Sequence, residues 1–210
     1  MGQKRVVKSP DERKRDLIDA ARALFIELGY EHTAMSDIAQ RANVAQGTFY
    51  IYFSSKQDVL AAIMRELLAE VGGIIQGLSG RTDLPATATL RLAMEQCLER
   101  MSHESRLVEA VLLKANYTLP SQLIEEYVPQ LLPAITAIIE RGVAEGSMRV
   151  THPRIAADFL WTVGYRFIET AVQQQVALGS MPGTGGSPTS DLQQAFWEFI
   201  LQALGVTCRE

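Results

Sequence analysis

The 210-residue chain is short of the groups that metal binding and catalysis need. It has two cysteines, Cys97 and Cys208, far apart and in no ligand spacing. That excludes a disulfide framework and suits a reducing compartment. Its three histidines, His32, His103 and His152, are scattered, with no HxxxH or Cys/His pair, so no metal site is expected. No nucleophile–base pair or paired-carboxylate signature stands out, so we expect no catalytic residues, no cofactor and no enzyme. No apolar run approaches the roughly 18 residues of a membrane span. The longest candidate, Leu131 to Ile139, is interrupted by Pro133 and Thr136. The start, Met1-Gly2-Gln3-Lys4-Arg5, leads into charge and not into an apolar stretch, so no signal peptide is expected. The expected location is the cytoplasm, with no membrane partner. Strand-like alternation and internal repeats are also missing.

What is present is 47% hydrophobic and 21% charged, the balance of a globular chain rather than a disordered one. The net charge of −4 is unevenly spread. Residues 1–56 sum to +2 and the remainder to −6. A basic head and an acidic body imply two parts with different partners.

Helical signals follow one another along the chain. Ser9-Pro10-Asp11-Glu12 reads as a capping box with proline in the first turn. Leu17, Ala21, Leu24, Phe25 and Leu28 then recur at helical spacing, and Gly29 supplies a left-handed C-cap. Short helices are expected near 35–42 and 46–52, with Asn43-Val44-Ala45 as a tight turn. A second capping box at Ser55-Lys56-Gln57-Asp58 opens a long helix, which Gly72, Gly73, Gly77 and Gly80 weaken and end. Five more helices are expected near 84–102, 104–117, 120–145, 153–178 and 190–204. Pro129 and Pro133 should kink or split the third of these. Residues 179–188, rich in Gly, Ser and Pro, read as a flexible loop.

The chemistry concentrates between Thr33 and Lys56. Two short helices around a three-residue turn make a helix-turn-helix, whose second helix enters the major groove. That helix holds four aromatics in five positions. Phe49 and Phe53 lie four apart and can face inward together. Tyr50 and Tyr52 then project elsewhere, where a hydroxyl can donate to a phosphate oxygen; packing in the small core is the other reading. Gly47 lets the backbone approach the sugar-phosphate chain. Gln46 and Thr48 are free to read base edges: the amide can bond adenine and the methyl can pack on thymine. Lys56, in the first turn of the long helix, can reach a phosphate, and the backbone N–H groups there add an anion site.

These residues carry a resemblance. Gly29-Tyr30, Thr33, Asp37-Ile38-Ala39, Asn43-Val44, Gly47 through Phe53 and Ser55-Lys56 resemble the DNA-binding domain of the tetracycline-repressor (TetR) family over about residues 10–60. Ala34, Ala45 and Ile51 depart from the family pattern, which often has hydroxyl-bearing residues there. The resemblance adds Thr33 and Ser36 to the DNA-contact candidates. It implies an all-α fold of about nine helices, with a three-helix helix-turn-helix domain (residues 1–58) before a larger ligand-binding and dimerisation domain (59–210). It implies a homodimeric regulator, usually a repressor that a small-molecule inducer releases from a palindromic duplex operator. For the inducer pocket the candidates are Met94, Cys97, Met101, Tyr117, Trp161 and Tyr165. For the dimer interface they are Phe159, Val163 and Phe167 on the eighth helix and Phe196, Phe199 and Ala203 on the ninth. Plain core packing, or docking on the same subunit, is the alternative for each set. Arg166 and Glu169 interrupt the apolar eighth helix; an intersubunit ion pair or a solvated edge is expected of them, with a charge in the pocket as the other reading.

Overall fold

The computed structural model describes residues 8–114, 118–177 and 190–206. Within them lie nine α-helices and no strand: α1 (Pro10–Leu28), α2 (Met35–Arg41), α3 (Gln46–Tyr52), α4 (Lys56–Ser79), α5 (Ala86–Ser102), α6 (Ser105–Glu109), α7 (Thr118–Ala144), α8 (Pro153–Ala177) and α9 (Ser190–Ala203). Helix α6 runs on into a π-helical turn, Ala110–Lys114. The Gly/Ser/Pro-rich stretch at 179–188 lies outside the described residues. No helix among the described residues is long and apolar enough to cross a membrane, and no group of three or more His, Cys, Asp or Glu side chains could hold a metal.

The first helix begins as its sequence dictates. Ser9 Oγ accepts from the Glu12 N–H at 3.2 Å, and Glu12 returns the bond by accepting from the Ser9 N–H at 2.6 Å. Such a cap is worth about 1 kcal/mol. Gly29 caps the other end at φ 87° and ψ 156°. That is a positive-φ extended conformation, not the left-handed helical one, and it still suits glycine alone. Between α2 and α3, Asn43 takes the left-handed φ of 54° and Val44 N–H donates to Ala39 O at 3.0 Å, closing the tight turn.

The glycines inside α4 and the prolines inside α7 leave both helices unsplit. Helix α4 passes through Gly72, Gly73 and Gly77 and ends only at Gly80. Its apolar face packs on α7, and a Cβ on Gly72 would lie 3.1 Å from Leu131 Cδ2, so this glycine serves close approach of the two helices. Helix α7 is continuous through Pro129 and Pro133. Both prolines are exposed, so the carbonyls they leave unbonded reach water. Between and after them Leu131, Leu132, Ile135, Ile138 and Ile139 are buried and hold the helix together.

Two apolar clusters form. One unites the head (Leu17, Phe25, Ile38, Phe49) with the first half of α4 and with Leu107 and Val108 of α6. The other joins the second half of α4 to α5, α7, α8 and α9. The expected boundary at residue 58 falls within the first turn of α4, and Val59, Leu60 and Ile63 pack into the same cluster as α1–α3. The first turns of α4 therefore belong energetically to the head.

Candidate nucleic-acid interface and an apolar cavity

Helix α3 is anchored by one side and open on the other. Phe49 and Phe53 are buried with their centroids 5.9 Å apart, and Phe49 meets the edge of Tyr50 at 5.6 Å. Burying both rings fixes the rotation of α3. What is left outward is Gln46, Gly47, Tyr50 (49% exposed) and Ile51 (76% exposed), with Thr48 at the boundary. Tyr52 is half-buried against the head core. Neither Tyr50 nor Tyr52 makes a hydrogen bond among the described residues, so both hydroxyls are unclaimed. A Cβ on Gly47 would meet nothing within 4 Å, so packing inside the chain does not require glycine there. On α2, exposed Ser36 contacts only its neighbour Asp37, at 3.4 Å.

Two residues chosen from sequence for DNA contact already have work inside the protein. Thr33 is 2% exposed, and its hydroxyl donates to Gly29 O at 2.9 Å. It ties the end of α1 to the start of α2 from a buried position. Lys56 Nζ donates to Tyr30 O at 2.6 Å and lies 4.4 Å from the centre of the Tyr30 ring. Its ammonium clamps the α1–α2 loop onto α4. Both contacts have one cause: the loop at 29–34 folds back and presents carbonyls that need donors. Ile51 was not among the sequence candidates. Its signal was its place two positions after Phe49 and two before Phe53, which turns it to the opposite face.

Behind the head lies a cavity of about 170 Å³ bounded by α4, α5, α6 with its π turn, α7, α8 and α9. Met94, Cys97, Met101, Trp161 and Tyr165, the pocket candidates, all line it, whereas Tyr117 falls outside the described residues. Met64, Val71 and Tyr127 line it too. They were not singled out because heptad-like apolar positions on α4 and α7 read as core. No Asp, Glu, Lys, Arg or His is among the lining residues. Burial pushes the Cys97 thiol up to about 12, which keeps it protonated and unreactive. Burial also raises the Tyr127 and Tyr165 hydroxyls, with Glu126 and Glu169 adding to it.

The interface candidates separate into two groups. Phe159 (66% exposed) and Phe199 are open to solvent, as is Ile155 one turn before Phe159, while Val163 is half-buried and Ala203 exposed. Phe167 is buried and stacks on Phe196 at 4.3 Å, and both rings line the cavity. This corrects their expected place on the outer face. Eight residues from Phe159 to Phe167 advance about 80° around a helix, enough to turn the second ring inward. Arg166 and Glu169 pair with each other along α8, so neither enters the cavity.

The head and the cavity share helix α6. Arg22 of α1 donates to Glu104 Oε1 at 2.6 Å and to Glu66 of α4 at 2.7 Å. Arg106 donates to Ile26 O at the end of α1, at 2.6 Å. One turn later Val108, Val111 and Leu112 line the cavity.

Residues 17–63 match the family described as bacterial regulatory proteins, tetR family. The chain is 29% identical over 137 residues to the fatty acid metabolism regulator protein of Bacillus subtilis (strain 168), covering 63% of this chain and 69% of that one. In solved structures its fold is similar to that of the fatty acid degradation regulator FadR from Bacillus halodurans, with a TM-score of 0.67 and 21% identity over 96% of this chain and all of that one. It is also similar to RolR in complex with resorcinol, with a TM-score of 0.65 and 21% identity over 94% of this chain and 89% of that one.

Proposed function

The chain belongs to the tetR family of bacterial regulatory proteins, and on that premise we propose that it is a cytoplasmic, homodimeric transcriptional regulator that binds a palindromic operator and is released from it by a small molecule. The observation that carries the DNA reading is the two-sided character of α3. Phe49 and Phe53 are spent on the head core, while the opposite side stays open and unbonded. In this reading Gln46 and Thr48 reach base edges and Ile51 packs on a thymine methyl. Tyr50, Tyr52 and Ser36 donate to phosphates, and Gly47 admits the backbone close to the strand. Lys56 and Thr33 act indirectly, by setting the loop that positions α2.

Two copies pair through the open faces of α8 and α9, where Ile155, Phe159 and Phe199 are exposed. Pairing sets the spacing of the two α3 helices, which must match successive major grooves about 34 Å apart. The effector occupies the cavity, with Met94, Cys97, Met101, Trp161 and Tyr165 in its wall. Occupancy shifts α6, and α6 carries the shift to α1 through Glu104 and Arg106. A coupling free energy of about 1–3 kcal/mol changes operator affinity 5- to 150-fold.

Footprinting at low salt on the DNA flanking the gene tests this reading. A protected palindrome is expected, with affinity falling steeply as salt rises. Tyr50→Phe and Thr48→Ala should each weaken binding about five- to tenfold, the scale of one lost hydrogen bond or methyl contact, with dimer and melting temperature unchanged. No protected site, or variants that bind like the parent, would defeat it.

A further inference from the structure

The walls of the cavity define what fits inside it. On α4 the lining runs from Met64 to Ile75, and on α5 from Leu90 to Met101. Eleven residues of helix span about 16 Å. A cavity of about 170 Å³ drawn out along two such helices is slender. Met64, Leu68, Val71 and Ile75 line it along α4, and Leu90, Met94, Leu98 and Met101 along α5. Apolar cavities of comparable volume take up apolar guests readily.

The electrostatics narrow the guest further. Among the described residues no formal charge lines the cavity, and burial already disfavours ionisation of Cys97, Tyr127 and Tyr165. A carboxylate or ammonium drawn inside would lose its hydration without gaining a counter-ion. The polar groups on offer are neutral donors: the Tyr127 and Tyr165 hydroxyls and the Trp161 indole N–H. None of the three makes a hydrogen bond among the described residues.

We propose that the cavity binds an uncharged, medium-length alkyl chain whose one polar group is a neutral acceptor such as an ester carbonyl. This deepens the effector reading above and rests on it for any regulatory consequence. The chain lies along α4 and α5, and its acceptor is met by Tyr127, Tyr165 or Trp161. Gly164 marks where the space is: it lines the cavity, and a Cβ there would meet nothing within 4 Å.

The test is calorimetric titration of the full-length protein with methyl hexanoate, methyl octanoate and methyl decanoate, and with sodium octanoate at pH 7. Affinity should rise about fourfold per added methylene, the burial value of one CH₂ group. The methyl ester should bind at least tenfold more tightly than the carboxylate of equal chain length. Octanoate binding should strengthen as pH falls towards its carboxyl pKa. Gly164→Leu should fill the slot, raise the melting temperature and abolish methyl octanoate binding. Octanoate binding as tightly as its ester at pH 7, no chain-length dependence, or tighter binding of naphthalene than of methyl decanoate would each overturn the proposal. So would unchanged binding by a folded Gly164→Leu protein. Ester binding without any change in operator affinity would leave the ligand class standing and defeat the effector reading instead.

Discussion

Glu104 offers a quantitative test of how the head is held to the body. Its side chain is 9% exposed and receives Arg22 at 2.6 Å and Arg100 at 3.4 Å, both on Oε1. Its Oε2 is buried with no hydrogen-bond partner. Arg22 keeps a second partner in half-exposed Glu66, and Arg100 keeps Glu70 at 2.5 Å. Glu104→Ala removes a buried carboxylate shared by two guanidinium groups. Breaking a buried pair costs about 3–5 kcal/mol when the survivor is stranded. Because Glu66 and Glu70 remain, the low end, about 3 kcal/mol, applies. Glu104→Gln keeps the shape and places an amide N–H₂ where Oε2 lacked a partner. It exchanges ion pairs for bonds from the two guanidinium groups to a neutral amide oxygen, at about 1–2 kcal/mol. Urea unfolding of parent, Glu104→Ala, Glu104→Gln, Arg22→Met and the Arg22→Met/Glu104→Ala double variant gives all the terms. We expect a coupling between Arg22 and Glu104 of about 1.5–3 kcal/mol, little changed by salt because the pair is shielded. The exposed Arg41–Glu27 pair, at 2.6 Å, should give under about 1 kcal/mol and fade with salt. A Glu104→Ala cost below about 1 kcal/mol would show that burial has been misjudged and refute the argument.

Three other outcomes follow from the packing. Gly73→Ala and Gly77→Ala, interior to α4 with open space at Cβ, should each stabilise by about 0.5–1 kcal/mol, whereas Gly142→Ala would overlap buried Met148 and should cost about 1–3 kcal/mol; thermal melts that rank the three differently would contradict this. The Cys97 thiol, raised by burial from about 9 to about 12, holds its proton in the folded state where the unfolded chain releases it. Stability from this group is therefore complete below pH 9 and falls between pH 9 and 12, by about 1.4 kcal/mol per pH unit; Cys97→Ala should flatten the decline between pH 9 and 11 in urea titrations, and an equal slope in both proteins would count against it. Phe159→Glu with Phe199→Glu should convert a dimer to a monomer by light scattering while leaving helicity intact, since both rings are exposed in the single chain; a persistent dimer would place the interface elsewhere.

Local pattern carried the reading of the head. Phe49 and Phe53 are buried because an i, i+4 pair shares a helix face, and that needs nothing beyond the order of residues. The Ser9 capping box and the Asn43 turn are likewise settled by neighbours within a few positions. The intrachain partners of Thr33 and Lys56, the carbonyls of Gly29 and Tyr30, were not legible because they are exposed or covered only by how the loop folds back. Gly72 and the prolines of α7 follow the same rule. Their local propensity argues for breaks, and packing of α4 against α7 overrides it.

By itself the sequence determined the helix order and the helix-turn-helix, because these depend on periodicity and short-range hydrogen bonds. It also determined that the charge divides into a basic head and an acidic body. Tertiary structure alone decided which apolar faces meet. It turned Phe167 into the cavity and left Phe159 outside, brought Met64, Met94, Tyr127 and Trp161 from four helices to one space, and set Glu104 between Arg22 and Arg100. The physical reason is that every apolar stripe is compatible with burial against any other, so its partner is chosen by the geometry of the whole and not by the residues of the stripe.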